Sequence, residues 1–504
     1  MPAGTYYGSG AARRDDTTTS DVSSLTVALD HRFNDALSLR NVTRTYTYEL
    51  DRNNTLPGGT VDTATLTVGR NRGHVGRQDD GVFNQSDFTF KNALGGLKHE
   101  WLFGLELGQQ NKFQKSVNQA NIDRVSLFDP GAVVPPAISP AVWAAADPAN
   151  SAFKVLGLYA QDQVALAPAW KALLGVRYDS FKQATRFERT GAFLEREDKT
   201  WSPRAGLVWQ PSVAASYHVS FSNSYQPSGE NSALAATNAA NGPEQTQNRE
   251  VGARLDVLDA AMSITAAVFN LQRSDIKTTD PANPGVLINV GRQRTNGLEL
   301  TARGRLPQGV ELSAGYAYLD GRIVQSNSRQ ASPQTPVVQI ALQGNRPSLT
   351  PRHSGFVWAV KPLGKGFSAG GGLNYSADRF ASPSNAVVLP GYLTADLAAY
   401  YRAKAFDVAL NLKNATNRKY IVSGHGGNDN LIAPGAPREL QVAMTYKFQL
   451  TRQLARHRSH RNGVARRFAN AAARRCSSSG CAAFICTWGC GAPRWGCCSA
   501  PPAS

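Results

Sequence analysis

The stretch Phe153–Phe181, FKVLGLYAQDQVALAPAWKALLGVRYDSF, has the pattern of two strands of period two joined by a tight turn at Ala167-Pro168-Ala169. On the second strand, alternate residues from Trp170 to Tyr178 are apolar, and the residues between them are mostly polar. Successive side chains of a strand point to opposite sides, so the hairpin has one apolar and one polar surface. A soluble sandwich would bury the apolar surface, whereas a membrane barrel turns it toward lipid, with aromatic residues at both borders.

The lengths of the connections distinguish these two architectures. Strand-like segments along the whole chain are joined alternately by short turns and by long connections such as Phe113–Ser151 and Lys182–Thr200. The polar segment Asp51–Asp80 is either a loop or an extension of strands beyond a membrane. This alternation is typical of an up-and-down outer-membrane barrel, with short periplasmic turns and long extracellular loops, and we count about seventeen strands. We therefore predict an all-β, antiparallel barrel wall whose lipid-facing aromatic girdle includes Trp170, Tyr178, Tyr446 and Phe448.

Charge and hydropathy exclude two other classes of protein. The net charge is +17, but nine arginines lie after Phe448, where no acidic residue occurs, which leaves +8 for residues 1–448. That charge is spread over both signs and forms no basic stripe with interleaved aromatics, so we expect no binding to nucleic acid. No segment approaches the roughly 20 apolar residues of a membrane-spanning helix.

The two ends of the chain differ from its middle. Residues 1–20 contain no apolar segment of the kind found in secretory signals, so we expect an outer-loop remnant and no signal for export. All six cysteines lie in residues 449–504 without a C-x2-C pair, which argues against a structural zinc site. We predict that residues 449–504 form a disordered Arg- and Cys-rich tail of the kind that a shifted reading frame produces.

Signals for catalysis are weak. The run Gly424-His425-Gly426-Gly427 lacks an accompanying nucleophile motif and favours a mobile outer loop. Asp162 and Asp179 could form a carboxylate pair, but we expect them at strand ends, facing water or pairing with Arg177. We predict no catalytic residues, no metal site and no resident cofactor.

A series of segments, in this order, carries a resemblance to a known family. They are LDHRFNDALSLRNVTRTY (Leu29–Tyr46), NQSDFTF with GGLKHEWLFGLEL (Asn84–Leu107), LGLYAQDQVAL with LLGVRYDSF (Leu156–Phe181), SPRAGLVWQPSVAASYHVSFSNSYQPSG (Ser202–Gly229), PEQTQNREVGARLDVLDAAMSITAAVFNLQRSDI (Pro243–Ile276), GRQRTNGLELTARGRLPQGVELSAGYAYLDG (Gly291–Gly321), NATNRKY (Asn414–Tyr420) and GAPRELQVAMTYKF (Gly435–Phe448). Together they resemble the barrel of TonB-dependent outer-membrane siderophore receptors of the ferric catecholate or hydroxamate type.

The resemblance implies a 22-stranded barrel with an N-terminal plug in its lumen. It also implies a monomer in the outer membrane of a Gram-negative bacterium, surrounded by lipid and lipopolysaccharide. Through the plug, the TonB–ExbB–ExbD system would drive inward release of a ferric siderophore, which is cargo and not a cofactor. We expect residues 21–448 to be the C-terminal part of such a barrel, with the plug absent, so that the product is a truncated receptor whose activity is open. The alternatives are a receptor for another cargo, such as cobalamin or a sugar, or a passive outer-membrane channel.

Ligand contacts are expected in the extracellular loops, where arginine and aromatic side chains together suit an anionic, aromatic ferric complex. The competing interpretation is that basic outer residues meet lipopolysaccharide phosphates or solvent. The candidates are Arg186, Phe187 and Arg189 after the opening hairpin, Tyr225 at a strand end, and Arg379 with Phe380 in a later loop.

Overall fold

The computed structural model describes residues 7–227, 234–283, 285–333, 335, 337–424, 429 and 432–447, without the side chains of residues 59 and 60. The predictions for Phe448, for the glycine-rich run from residue 425 onward and for the tail at 449–504 lie outside the described residues. Within the described ranges, no helix has the length and apolar character needed to cross a bilayer.

Strands dominate the structure. Its helices are short: α1 (Ala12–Asp15), α2 (Pro140–Ala145) and one 3-10 turn (Pro307–Gly309). The strands are β1 (Thr18–Arg32), β2 (Leu37–Asp62), β3 (Thr67–Leu94), β4 (Leu97–Ser126), β5 (Ala149–Ala167), β6 (Trp170–Phe187), β7 (Phe193–Ser212), β8 (Ala215–Gln226), β9 (Glu244–Val257), β10 (Met262–Thr279), β11 (Leu287–Arg305), β12 (Glu311–Gln325), β13 (Arg329–Ala331), β14 (Gln339–Ala341), β15 (His353–Gly364), β16 (Phe367–Ser376), β17 (Arg379–Phe380), β18 (Val388–Leu389), β19 (Tyr392–Arg402), β20 (Phe406–Lys413), β21 (Ile421–Gly424), β22 (Ile432–Pro434) and β23 (Glu439–Tyr446).

Seventeen of these strands form one antiparallel sheet in which each strand pairs with the next one along the chain. Three two-stranded hairpins, β13–β14, β17–β18 and β21–β22, stand apart from this sheet within the long connections. The predicted count of about seventeen strands, and their up-and-down order, are confirmed. In the described part of the chain no ladder joins β1 to β23.

The two faces of the sheet differ in polarity as the alternation predicts. On β6, Leu174 is 61% exposed on the apolar face, whereas Gln183 and Thr185 are buried on the polar face. Because the wall is one layer thick, an apolar side chain on the lipid-facing side has no protein layer to pack against, and in a membrane lipid takes that place. We call the polar side the inner face.

Several strands continue far beyond their predicted ends, so two predicted connections are wrong. β4 continues to Ser126 and β5 begins at Ala149, within the predicted connection Phe113–Ser151. β6 and β7 likewise fill most of Lys182–Thr200 and leave a turn at residues 188–192. These extensions carry polar side chains on both faces. The strands can continue there because their pairing satisfies the backbone hydrogen bonds whatever the side chains are. The sequence allowed Asp51–Asp80 to be either a loop or a strand extension. In the structure it is a strand extension, with its turn at residues 63–66.

The extension of β2, β3 and β4 ends in a small core of its own. Tyr7, Val68, Val125 and Leu127 are buried together there, and the Tyr7 hydroxyl donates to the Leu127 carbonyl at 2.5 Å. Arg70, only 1% exposed, forms an ion pair with Asp123 beside this core. Its Nη1 donates to the carbonyls of Gly8, at 2.7 Å, and Val133, at 3.2 Å. One guanidinium therefore joins the N-terminal segment, the extended sheet and the β4–β5 loop.

Candidate ligand-binding wall

A hydrogen-bonded network of charged side chains lies on the inner face of β3 to β6. Arg177 donates to Asp179 on its own strand and, through Nη2, to Glu106 Oε2 on β4 at 2.7 Å. Its guanidinium also lies over the Tyr159 ring, with the guanidinium carbon 5.3 Å from the ring centre. The Tyr159 hydroxyl in turn donates to Asp87 on β3. We call Asp87, Glu106, Tyr159, Arg177 and Asp179 the central network.

The two aspartates considered as a carboxylate pair in the sequence have separate partners. Asp179 pairs with Arg177, as expected, while Asp162 Oδ2 accepts a hydrogen bond from His99 Nδ1 at 2.7 Å near the short-turn end of the wall. Among the described residues, no group of three or more histidine, cysteine or acidic side chains is arranged to hold a metal ion.

Two glycines leave room for the large side chains of the central network. A Cβ atom at Gly104 would lie 1.9 Å from the Tyr159 ring, and one at Gly157 would lie 2.3 Å from Arg177 Nη2. Tyr159 and Arg177 can therefore lie flat across the neighbouring strand. A cavity of about 750 Å³ lies beside the network.

We predict that Gly104→Val destabilises the wall by about 1–3 kcal/mol, because the added side chain displaces Tyr159 and breaks its hydrogen bond to Asp87. Denaturant unfolding of the refolded chain, followed by fluorescence, measures this loss. Gly206→Ala is the matched control, because a Cβ at this glycine meets its nearest atom at 3.7 Å. Equal unfolding midpoints for Gly104→Val and the unchanged chain would rule out the proposed packing.

A second cluster lies on the inner face of β2 and β3, nearer the long-loop end. Arg44, Tyr46 and Tyr48 alternate along β2, and the guanidinium carbon of Arg44 lies 5.9 Å from the Tyr46 ring centre. Arg77 on β3 lies 5.2 Å from the Tyr48 ring centre and pairs with Asp79. Tyr46 also stacks on Phe83. We call Arg44, Tyr46, Tyr48 and Arg77 the Arg–Tyr patch.

Arg44 is the arginine of this patch whose charge is available to a ligand. Its side chain is exposed, and none of the acidic groups among the described residues lies within ion-pairing distance of it. Arg77, by contrast, already has Asp79 as a partner. A cation without a partner, lying beside two tyrosine rings, can bind an anionic ligand that has flat aromatic groups.

Sequence reasoning missed this patch. The signal that could have found it is the run TRTYTYEL (Thr43–Leu50), in which Arg44, Tyr46 and Tyr48 share one strand face by period two. Their alignment beside Arg77 depends on the pairing register of β2 with β3, in which Tyr48 lies opposite Asp79.

The residues predicted in the first ligand loop lie in different surroundings. Arg186 and Phe187 are the last residues of β6, and the guanidinium carbon of Arg186 lies 5.8 Å from the Phe193 ring centre on the lipid-facing side. Their prediction as loop residues is wrong, because the β6–β7 ladder continues to Arg186↔Phe193. Arg189 is in the turn, and its amide donates to Asp147 Oδ1 at 2.8 Å.

Asp147 holds this turn through several hydrogen bonds. The Thr190 hydroxyl donates to its Oδ2 at 2.7 Å, and the backbone amides of Arg189 and Thr190 donate to Oδ1. The Thr190 hydroxyl bond first, and then the two amides and the Arg189 charge, lower the pKa of the Asp147 carboxyl. Because the folded-state pKa is depressed, the stabilisation is complete above the ordinary carboxyl pKa of about 3.9 and is lost as the pH falls through the folded-state value.

We predict that Thr190→Val moves this acid transition of the turn to higher pH, since it removes the largest cause of the depressed pKa. Hydrogen exchange at the Arg189 amide, corrected for the intrinsic rate, follows the transition. Asp147→Asn should abolish the acid transition. A transition at the same pH in Thr190→Val would contradict the assignment.

The remaining predicted ligand residues occupy three kinds of position. The Tyr225 hydroxyl accepts from Gln245 Nε2 at 3.1 Å, and Tyr225 lines the same cavity as the central network. Arg379 is 4% exposed, and its Nη2 donates to the carbonyls of Ile421 and Val422 in the next long loop. Phe380 lies under Arg346, whose guanidinium carbon is 5.4 Å from the ring centre. Contact of these residues with a ligand stays a prediction.

The three predicted girdle residues within the described ranges, Trp170, Tyr178 and Tyr446, lie on the apolar face. Trp170 stacks on Trp209, which stacks on Tyr217, near the short turns, and Tyr178 packs against Trp201 eight residues further along β6. Tyr446 is exposed on β23. Their contact with membrane headgroups stays a prediction.

Comparisons with known proteins agree on the family. The model of the family described as "TonB dependent receptor-like, beta-barrel" matches residues 2–415. The metal-pseudopaline receptor CntO of Pseudomonas aeruginosa is 28% identical over 382 residues, covering 72% of this chain and 51% of that protein. The probable siderophore receptor PiuA of Acinetobacter baumannii is 25% identical over 303 residues, covering 58% of this chain and 40% of that protein. The chain thus spans about half the length of these curated relatives.

Solved structures give the same fold. The crystal structure of the siderophore receptor PiuA from Acinetobacter baumannii superposes with a TM-score of 0.76 at 21% identity, covering 88% of this chain and 66% of that one. The ferric-catecholate import receptor Fiu from Escherichia coli K12, in its closed form, gives a TM-score of 0.72 at 20% identity, covering 87% and 65%. The chain belongs to the family of TonB-dependent receptor β-barrels, which are outer-membrane transport receptors.

Proposed function

We propose that this chain forms the wall of a receptor for TonB-dependent uptake of ferric siderophores, and that the Arg–Tyr patch contacts the ferric complex. The patch is the observation that carries the proposal, since an unpaired arginine beside tyrosine rings at the mouth of a transport barrel suits an anionic chelate. The names of two relatives, a metal-pseudopaline receptor and a probable TonB-dependent siderophore receptor, support the same cargo class. An inner plug, the TonB–ExbB–ExbD system acting on it, a monomeric state and barrel limits at residues 21–448 belong to the proposal.

In this proposal the two inner-wall clusters have different roles. Arg44 attracts the negative charge of the ferric complex, and the rings of Tyr46 and Tyr48 provide flat surfaces for its aromatic groups. Each member of the central network is hydrogen-bonded to another member, so the network stays fixed. Its three carboxylates outnumber its one guanidinium, so it does not compete for an anionic ligand. Tyr225 remains a proposed ligand contact because it lines the same cavity. Arg189 and Arg379 act as anchors of the outer loops.

The transport chemistry requires no bond to be made or broken, so we propose a receptor and not an enzyme. A neutral cargo, such as a sugar, would gain little from the unpaired Arg44. A passive channel would need neither this cation nor the tyrosine rings.

The test is uptake by a chimera in which residues 18–447 replace the aligned strands of a curated siderophore receptor. We expect iron-dependent uptake of at least one ferric siderophore from a panel of catecholates and hydroxamates. Uptake of cobalamin in place of every ferric complex would support the other-cargo alternative. Ion conductance without uptake, from a chimera that reaches the membrane, would support the channel.

A further inference from the structure

Lys112 is an almost fully buried lysine on the inner face of β4, with a side chain that is only 6% exposed. Among the residues that the structure describes, none accepts a hydrogen bond from its ammonium group, and no carboxylate lies within ion-pairing distance of it. A buried charge usually has a hydrogen-bonded partner, because its removal from water is costly. Lys112 is therefore a cation whose charge a ligand can compensate.

Strand pairing places Lys112 in a row of polar side chains beside the Arg–Tyr patch. Tyr48 on β2 lies opposite Asp79 on β3, and Asp79 lies opposite Lys112. On the other side of Lys112 lies Ser151 of β5. Tyr48 and Lys112 are thus two strands apart, which is about 10 Å. A chelate with three aromatic groups that lies on the Tyr48 ring is wide enough to reach Lys112.

Two cations face one carboxylate in this row. Arg77 Nε donates to Asp79 Oδ1 at 2.9 Å and to Oδ2 at 2.8 Å, so Arg77 occupies both oxygens. Asp79 is itself only 5% exposed. When Lys112 is protonated, the two cations therefore exceed the charge of the single carboxylate. An anion that binds beside them would balance the excess.

The row lies outside the membrane-spanning part of the wall. Fifteen residues separate Lys112 from Leu97, the first residue of β4 after its short turn. At roughly 3.3 Å per residue and a tilt near 40°, this corresponds to about 38 Å of height, whereas the apolar band is about 25 Å tall. Lys112 therefore lies at the outer mouth, at the level where a ligand arrives from outside.

The surroundings of Lys112 disfavour its charged form. Burial first, and then the charge of Arg77, lowers the pKa of the Lys112 ammonium, and the charge of Asp79 opposes this shift. The other titratable groups that face the row are the phenols of Tyr46 and Tyr48 on β2. On β5 the facing residue is Ser151, which carries no charge.

We propose that Lys112 takes up a proton when the anionic ferric complex binds to the Arg–Tyr patch, a role that rests on the proposed function of this patch. In the ligand-free chain, the excess of positive charge works against the ammonium form. A bound anion supplies the negative charge that this form lacks. Ligand binding and protonation are therefore linked, and each strengthens the other by the same factor.

This linkage fixes the direction of the pH dependence. Below the pKa of Lys112 in the ligand-free chain, the ammonium is already present, and the affinity is at its highest. As the pH rises through that pKa, each binding event takes up a proton, and the affinity falls by at most about 10-fold per pH unit. Above the higher pKa that Lys112 has in the complex, the affinity reaches its lower, constant value.

The test is isothermal titration calorimetry of a ferric tricatecholate with the full chain refolded in a neutral detergent. The range runs from about pH 7.5 to about pH 10, just below the ordinary lysine pKa of about 10.4. Buffers of different ionisation enthalpy give the number of protons taken up per ligand, and this measurement needs no variant. We expect proton uptake toward the alkaline end and a Kd that rises roughly 10-fold across the range.

Lys112→Arg separates the proton from the charge. Arginine keeps its proton throughout this range, so the Kd of this variant should change less than about 2-fold. Lys112→Met has no charge and should bind weakly at every pH. Lys154→Met is the matched control, because Lys154 is exposed on the opposite face of β5, and it should keep the pH dependence. Circular dichroism and heat-modifiability on gels verify the fold of each variant.

The possible failures can be told apart. Equal pH dependence in Lys112→Arg and the unchanged chain, or a binding enthalpy that is the same in every buffer, would overturn the proton linkage and leave the proposed function standing. Binding by Lys112→Met as tight as that of the unchanged chain near pH 7.5 would do the same. No binding of the tricatecholate at any pH would contradict the proposed function and the linkage together.

Discussion

Replacing Arg44 with glutamine is expected to weaken binding of an anionic ferric tricatecholate by about 10- to 100-fold, which is the range for losing a charge-assisted contact. The fold should be unaffected, because Arg44 is exposed and has no acidic partner among the described residues. Quenching of tyrosine and tryptophan fluorescence by the ferric complex measures the affinity. Tyr46→Ala should also weaken binding, whereas Tyr46→Phe, which keeps the ring, should have little effect.

Arg40→Gln is the matched control for this change. Arg40 lies on the same strand and face, four residues nearer the short turn. Its Nε lies 3.9 Å from Asp30 Oδ1. If both variants lost affinity equally, the effect would come from the general charge of the lumen. The Arg–Tyr patch would then not be the binding surface.

The second large effect concerns stability. Arg70→Met should destabilise the extension of β2, β3 and β4 by about 3–5 kcal/mol, because Asp123 would keep its charge without its partner. The carbonyls of Gly8 and Val133 would also lose a donor. Limited proteolysis should then cut the N-terminal segment and the β4–β5 loop at least about 100-fold faster, while the barrel wall stays intact.

Arg124→Met provides the comparison, since Arg124 lies on β4 in the same extension but is exposed and donates to Thr67 Oγ1 at 3.0 Å. It should change the cleavage rate little. A double variant, Arg70→Met with Asp123→Leu, should recover part of the loss, because no unpaired charge remains. Unchanged cleavage in Arg70→Met would show that the guanidinium does not hold the extension together.

Much of the wall could be predicted from local pattern. Period-two alternation in the opening hairpin predicted that Trp170, Leu174 and Val176 share the apolar face, and the rhythm of short and long connections predicted the up-and-down order. Both signals arise because a membrane barrel needs an apolar residue at every second position of each spanning strand. The same reasoning could not locate the ends of β4 and β6, because strands beyond the bilayer have no such requirement.

The candidate site was less predictable, because it depends on contacts between distant segments. The choice of Arg379 as a ligand contact rested on its position in a loop beside Phe380, but its burial results from the carbonyls of Ile421 and Val422, more than forty residues away. The Arg–Tyr patch lay instead within a strand. Its arginines come together only through the register of β2 against β3.

The central claim is best tested by equilibrium binding to the full chain refolded in detergent, with a ferric tricatecholate, a ferric trihydroxamate and cobalamin as ligands. We predict micromolar or tighter binding of the anionic ferric tricatecholate, weaker binding of the less charged trihydroxamate, and a selective loss of tricatecholate affinity in Arg44→Gln. Binding of cobalamin as tight as that of either ferric complex, or a tricatecholate affinity that Arg44→Gln leaves unchanged, would contradict the account.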